Sequence, residues 1–395
     1  MRITYKSLLL LGLVVLLIAI TGCEYDGPTA VWDQNRPERV SPVINQVDPA
    51  EAGPGVNYLT LIGENFSADS GGNKVYVNGV ETEVVDYSAT SVKIRRPSVT
   101  GDTTMLKLAT PDGLGVAAYP DYKITPIAEP YGGFIAGESF GALVVDNENT
   151  VYVFEKVRRN VFKIAPDGTV TEIAISERAV KDARIAPNGM LILLLGRKNI
   201  NQMNPVTGEE TEWASVSESM TYGDFDANGN LYAGGRRTDL FIIAPDLSNR
   251  AAGFYEDDEI FAIRVVDNYV YVALEFRDPD DGVPPIGIWK HEILDAAGNL
   301  GPRELVLDWA TTGAFAESSI LDFEIAASGR IYIGTDNTDP ILMLNPDQSQ
   351  DILYKGIIPT EAAKLYWSPD DVLYMVLSGD ETNLLGLEVG EAGIR

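Results

Sequence analysis

Cysteine and histidine are almost absent from this chain of 395 residues, being represented only by Cys23 and His291. One cysteine excludes an internal disulfide. One histidine excludes Cys/His zinc sites, Cys–His nucleophile pairs and any Ser-His-Asp triad that needs a histidine elsewhere. Positive charge is scarce as well: 30 Lys and Arg face 58 Asp and Glu, a formal net charge of −28. A field of that sign disfavours polyphosphate partners and anionic headgroups, so no nucleic-acid partner is expected. Phosphoryl transfer also lacks its usual cradle, since no glycine-rich loop leads into Lys-Ser/Thr.

What the chain does have is a repeat. Residues 221–235 (TYGDFDANGNLYAGG) read as two short strands joined at Ala227-Asn228-Gly229, where Asn-Gly suits the left-handed angles of a tight hairpin. An apolar residue followed by an apolar or aromatic one comes after each such turn, at Val151, Leu191, Leu231, Val270, Ile331 and Leu373. Their positions differ by 40, 40, 39, 61 and 42 residues. A period near forty with strand patterns in each copy means radial or linear repetition of a sheet.

The first 22 residues carry Arg2 and Lys6 ahead of an apolar run from Leu8 to Ile20, the pattern of a targeting segment. Its end, Ile20-Thr21-Gly22-Cys23, resembles the bacterial lipobox, which implies diacylation of Cys23 and export to the outer membrane on an acyl anchor. Glu24 and Asp26 look like the export tag of surface lipoproteins. Residues 23–41, with Pro28 and Pro37, read as a spacer.

From Pro42 short β-rich segments alternate with turns: Pro42-Val43-Ile44-Asn45-Gln46-Val47-Asp48-Pro49, then Leu59-Thr60-Leu61-Ile62-Gly63-Glu64-Asn65-Phe66, then Val75-Tyr76-Val77-Asn78-Gly79 and Ser91-Val92-Lys93-Ile94. The pattern predicts an antiparallel sandwich of about seven strands over residues 42–125. These segments resemble the immunoglobulin-like IPT/TIG family, whose members imply a spacer or adhesion unit without catalytic residues.

Residues 126–395 are expected to form a six-bladed β-propeller, so the fold class is all-β. Stacking the repeats places inner strands at 142–146, 182–186, 222–226, 262–266, 322–326 and 364–368. The last repeat is too short for a fourth strand, and Phe134-Ile135 with their neighbours are expected to supply it and close the ring. The turns and period resemble NHL-type and lactonase-like propellers. That resemblance implies a metal at the channel mouth, for which Glu138, Asp182, Asp224 and Asp322 are the candidate ligands and a divalent ion such as calcium the candidate cofactor.

Inner strands line the channel. Their polar columns hold Asp182 and Arg184, Tyr222 and Asp224, Arg264, Asp322 and Glu324, and Lys364 and Tyr366. Charges gathered in this way pair with one another, as a ring of ion pairs fixing the blades in register, or with a ligand in a polar pocket. The fourth repeat carries extra residues around 275–303, including Trp289 and His291, and insertions on propellers often form binding loops. Trp289, Tyr255 and Phe254 break the periodicity and are candidates for stacking on a ligand ring, whereas Trp213 and Trp309 recur at outer-strand positions and read as packing. Glu256–Glu259 and Asp278–Asp281 are acidic runs able to hold a hard cation. An EF-hand-like start at Asp224-x-Asp226-x-Asn228-Gly229 fails, because its twelfth position is Gly235. The sequence thus points to non-catalytic binding of a glycan or an envelope protein at the cell surface, against a metal-dependent hydrolase and a purely structural component.

Overall fold

The computed structural model describes residues 40–111, 113–134, 138–377 and 384–394. Residues 42–124 form two four-stranded antiparallel sheets. One has the order Val43–Asp48, Tyr58–Glu64, Ser91–Arg95, Val84–Tyr87; the other Val80–Thr82, Lys74–Val77, Gly101–Ala109, Ala117–Ile124. Alternation along these strands buries Leu59 and Leu61, Val75 and Val77, Val92 and Ile94, and Leu106 and Leu108 in one core between the sheets. There are eight strands, one more than the pattern suggested.

Six four-stranded antiparallel sheets follow. Their inner strands are Phe140–Val145, Asp182–Ile185, Tyr222–Phe225, Glu259–Val266, Ile320–Ile325 and Ala362–Trp367. In each blade the inner strand starts on one face of the disc, here the leading face, and ends on the trailing face, where a tight turn sends the chain back. Sequence explains those turns. Asp146 accepts from the backbone N–H of Glu148 (2.9 Å) and Thr150 (2.8 Å), and Asp226 accepts from Asn228 (2.9 Å) and Asn230 (2.8 Å). The tyrosine on the following strand reaches back to the same carboxylate, Tyr152 to Asp146 and Tyr232 to Asp226. The EF-hand-like stretch is therefore a hairpin device, its Asp226 consumed by the turn.

The ring closes by a borrowed strand, though not the expected one. Ala128–Pro130 pairs with the third strand of blade six, with Ala128 opposite Leu387 and Pro130 opposite Leu385. Phe134 instead packs against Phe140 and Phe162 of blade one, with ring centroids 4.7 and 5.3 Å away, and Ile135 lies outside the described residues. The aromatic cluster draws Phe134 past the seam, which leaves the segment before it to fill the edge.

The sandwich is docked on blades five and six. Tyr354 accepts a hydrogen bond from Gly55 N (2.7 Å) and donates to Glu388 O (2.6 Å), while Tyr58 donates to Asp351 (2.6 Å) and Lys355 pairs with Glu83 (3.1 Å). At the other end of blade six, residues 390–394 double back across the trailing face. Ala327 N donates to Ala392 O (2.7 Å), Ile394 N donates to Ile325 O (3.0 Å), and Glu391 is clasped by Arg330 (2.6 Å), Tyr332 and Ser328.

Candidate functional site

Because side chains alternate along a strand, every second inner-strand residue faces the channel. Two polar layers result. Nearer the leading face lie Asp182, Tyr222, Asp322 and Lys364; nearer the trailing face lie Arg184, Asp224, Arg264, Glu324 and Tyr366. The charged members of both layers, Asp224 excepted, are buried, and they are paired. Arg184 contacts Asp182 at 2.9 Å and Asp224 at 3.2 Å, and Arg264 contacts Asp322 and Glu324 at 2.7 Å each. Lys364 lies 3.9 Å from Asp182 and 4.0 Å from Asp322, above the Tyr222 ring.

The aspartates do more than pair. Each uses a carboxylate oxygen to accept a backbone N–H from the inner strand of the next blade: Asp182 from Gly223 (3.3 Å), Asp224 from Val265 (2.8 Å) and Asp322 from Leu365 (3.0 Å). The acids thus staple blade two to three, three to four, and five to six. Burial pushes the Asp182 carboxyl up, but Arg184, Lys364 and Arg264 outweigh it and hold the group below the usual carboxylate range. Glu324 goes the other way. Burial, only partly offset by Arg264, lifts it to about 7.

The trailing-face layer floors a basin of about 530 Å³. Arg184, Asp224, Arg264 and Glu324 form its base, the half-buried Phe225 and Tyr366 its aromatic wall with Tyr152 and Trp367 buried behind them, and Asp146 and Glu148 its rim, with Ile394 from the returning C-terminal segment at one side. Sequence reasoning placed the polar residues near the axis. It missed the wall, whose signal was the apolar column that ends each inner strand and includes Phe225 and Trp367.

Other candidate residues sit elsewhere. Trp289 and His291 are not on a loop: they belong to the third strand of blade four, Ile286–Glu292, and are 2% and 0% exposed. His291 Nδ1 donates to Gly301 O (2.9 Å), so its Nε2 accepts from Tyr255 OH (2.6 Å), and burial lowers the imidazole pKa. Tyr255 is buried in the same cluster with Phe276. The extra residues of blade four form two separate loops. One of them buttresses blade three, with Ala296 O and Gly298 O accepting from Asn230 (3.1 Å) and Tyr232 (3.3 Å). Trp213 packs edge-on against Phe225 and Trp309 is buried, as expected of packing residues.

The four proposed metal ligands are not gathered. Asp182 and Asp322 serve basic side chains and backbone in the deeper layer, Asp224 serves Arg184 and Val265 in the outer one, and Glu138 precedes the inner strand of blade one on the leading face. Among the described residues, no three His, Cys, Asp or Glu side chains form a group able to hold a metal. The acidic runs at 256–259 and 278–281 do converge on one groove, where Asp257 pairs with Arg277, and Asp280 lies 3.9 Å from Arg303. Guanidiniums thus meet two of the five carboxylates that line the groove.

Comparison with known proteins agrees with this architecture. Residues 42–123 match the IPT/TIG domain. A cyclomaltodextrin glucanotransferase of Bacillus sp. (strain 1-1) is 28% identical over 95 residues, which are 24% of this chain and 13% of that enzyme, so the chain spans only a small part of the length of that relative. Among solved structures, an auxiliary nutrient binding protein from Bacteroides thetaiotaomicron VPI-5482 aligns over 90% of this chain and 99% of its own, with 14% identity and a TM-score of 0.51. The calcium-binding protein regucalcin from Agrobacterium tumefaciens aligns over 68% of this chain and 96% of its own, with 13% identity and a TM-score of 0.54. At such identities the likeness is one of fold.

Proposed function

We propose that the protein is a non-catalytic glycan receptor, exported and held at the outer membrane by an acylated Cys23, which lodges its ligand in the trailing-face basin. The observation that carries this reading is the composition of that basin. Its charged floor is internally paired and so fixed in place, and its wall is aromatic. Pyranose rings present C–H faces to aromatic side chains and hydroxyls to carboxylates and guanidiniums, and a pocket of a few hundred Å³ with a few fixed polar groups suits a short saccharide. The fold shared with a nutrient-binding protein supports the same reading. The anchoring rests on the lipobox-like motif alone, in a segment outside the described residues.

The test is a glycan array probed with detergent-solubilised full-length protein, followed by calorimetry on the saccharides retained. Phe225→Ala, which removes a half-buried wall residue without touching the ion pairs, is expected to weaken binding about tenfold or more. If no glycan binds, and a lactone is instead hydrolysed with a divalent cation in a manner abolished by Asp322→Ala, the protein is a hydrolase.

A further inference from the structure

The net charge conceals an uneven distribution. Acids outnumber bases 58 to 30 over the whole chain, yet between Lys156 and Lys198 the bases outnumber the acids. The propeller topology then puts most of these bases on one side. In each blade the inner strand begins, the second ends, the third begins and the fourth ends on the leading face. The linkers 156–159 and 176–181 and the strand start at Arg197-Lys198 therefore all open there, on blades one and two. The trailing-face turns carry the opposite sign, with Asp146, Glu148, Asp226, Asp246, Asp347 and Asp370.

Arg158, Arg178, Lys181, Arg197 and Lys198 are exposed, and among the described residues none of them has an ion pair or a side-chain hydrogen bond. Five exposed cations without ion pairs stand out in a chain with 58 Asp and Glu residues. They are not scattered over a flat surface. Arg178, Arg197 and Lys198 line a groove of about 600 Å³ that also holds Glu177 and Glu212, the latter accepting from Asn199 (2.6 Å). Nearer the axis burial, helped by the neighbouring Lys181 and Lys364 and opposed by Glu361, lowers the pKa of Lys156. At the bottom of this mouth the Lys364 ammonium is buried without a hydrogen-bond partner.

We propose that the leading-face groove between blades one and two binds an acidic polysaccharide, whose carboxylate or sulfate groups meet Arg178, Arg197 and Lys198. The alternatives fit less well. Single-stranded nucleic acid takes much of its affinity from bases stacked on aromatic rings, and no aromatic side chain lines this groove. A lipid surface is flat, whereas the cations here line a hollow. This site lies on the opposite face from the basin and stands independently of it.

The experiment is affinity electrophoresis and calorimetry of the full chain with polygalacturonate, dextran sulfate and uncharged dextran. Binding to polygalacturonate, dextran sulfate or both is expected, with the favoured polymer identifying carboxylate or sulfate as the ligand group. Added salt should weaken it, and dextran should not bind. The variant R178E/R197E/K198E is expected to lose about tenfold or more in affinity with its thermal unfolding unchanged. Phe225→Ala, in the basin, should leave polyanion binding intact, so failure at one site is distinguishable from failure at the other. The proposal is overturned if neither polyanion binds at about 50 mM salt, where charges within roughly a nanometre still act, or if charge reversal has no effect. It is also overturned if oligothymidylate binds as tightly as the polysaccharides.

Discussion

The guanidinium of Arg264 in blade four donates to the carboxylate of Glu324 in blade five across 2.7 Å, inside the channel. Glu324 nevertheless sits at about 7, because the cost of burying its charge exceeds what Arg264 returns. A carboxyl raised in the folded state keeps a proton that the unfolded chain has released between about 4.5 and 7. The folded state then binds more protons in that window, so stability falls as pH rises through it, by about 1.4 kcal/mol per unit at most. Asp182 does not confound this, since its depressed pKa makes its contribution complete below the window. His291, whose pKa burial lowers, adds stability as pH rises towards 6.5, so the test is a difference: from pH 5 to 8 the thermal midpoint of the parent should fall relative to that of Glu324→Gln.

Asp322 is the most heavily engaged acid of the ring, bound to Arg264, to the N–H of Leu365 and, at longer range, to Lys364. Asp322→Ala takes one counterion from each of two buried cations, leaving Arg264 only Glu324 and Lys364 only the more distant Asp182, and is expected to cost about 3–5 kcal/mol in urea unfolding. Asp322→Asn retains an acceptor for Leu365 N and should cost less. Equal losses would mean that the backbone staple contributes nothing.

Closure by residues 128–130 can be tested through Ile127, which is 4% exposed and packed in the core of blade six. Ile127→Ala should cost about 2–5 kcal/mol, as for other buried aliphatic truncations, and should raise hydrogen exchange in Leu384–Glu388 before other blades. Uniform exchange across all six blades would show that this strand is not the clasp.

Tyr354 joins the sandwich to the propeller through one hydroxyl, which receives from Gly55 and gives to Glu388. Tyr354→Phe removes both bonds and should cost about 1–3 kcal/mol. Calorimetry of the parent is expected to show one transition for both parts, and the variant should show the sandwich melting earlier. Two transitions already present in the parent would mean that the parts fold independently.

How far the sequence revealed this protein depended on whether a feature was periodic. Strand alternation put Asp182, Arg184, Asp224, Arg264, Asp322, Glu324 and Lys364 on the channel side, because a two-residue period leaves few other arrangements once the apolar column is fixed. The closing strand was hidden, since Ala128-Glu129-Pro130 has no β pattern of its own and gains one only from its neighbour in blade six. Trp289 and His291 were misplaced for a related reason. The spacing of 61 residues looks like one long insertion, but it is two loops, 276–285 and 293–303, with a regular buried strand between them. The basin wall was partly invisible because Ile394 arrives from a segment that leaves blade six and returns to blade five. The groove on blades one and two was obscured by net charge, a sum over the chain that carries no information about where each sign resides.

The aspartate staples are unevenly spread around the circle. They tie blade two to three, three to four, and five to six, while the inner strand of blade one, Phe140–Val145, is wholly apolar and offers no such tie to either neighbour. Dispersion forces yield gradually to shear, whereas charge-assisted bonds resist until they snap. The seams beside blade one therefore rely on apolar packing between inner strands, with Asn149 donating to Asp370 (2.6 Å) on the trailing face, and are expected to yield first under load.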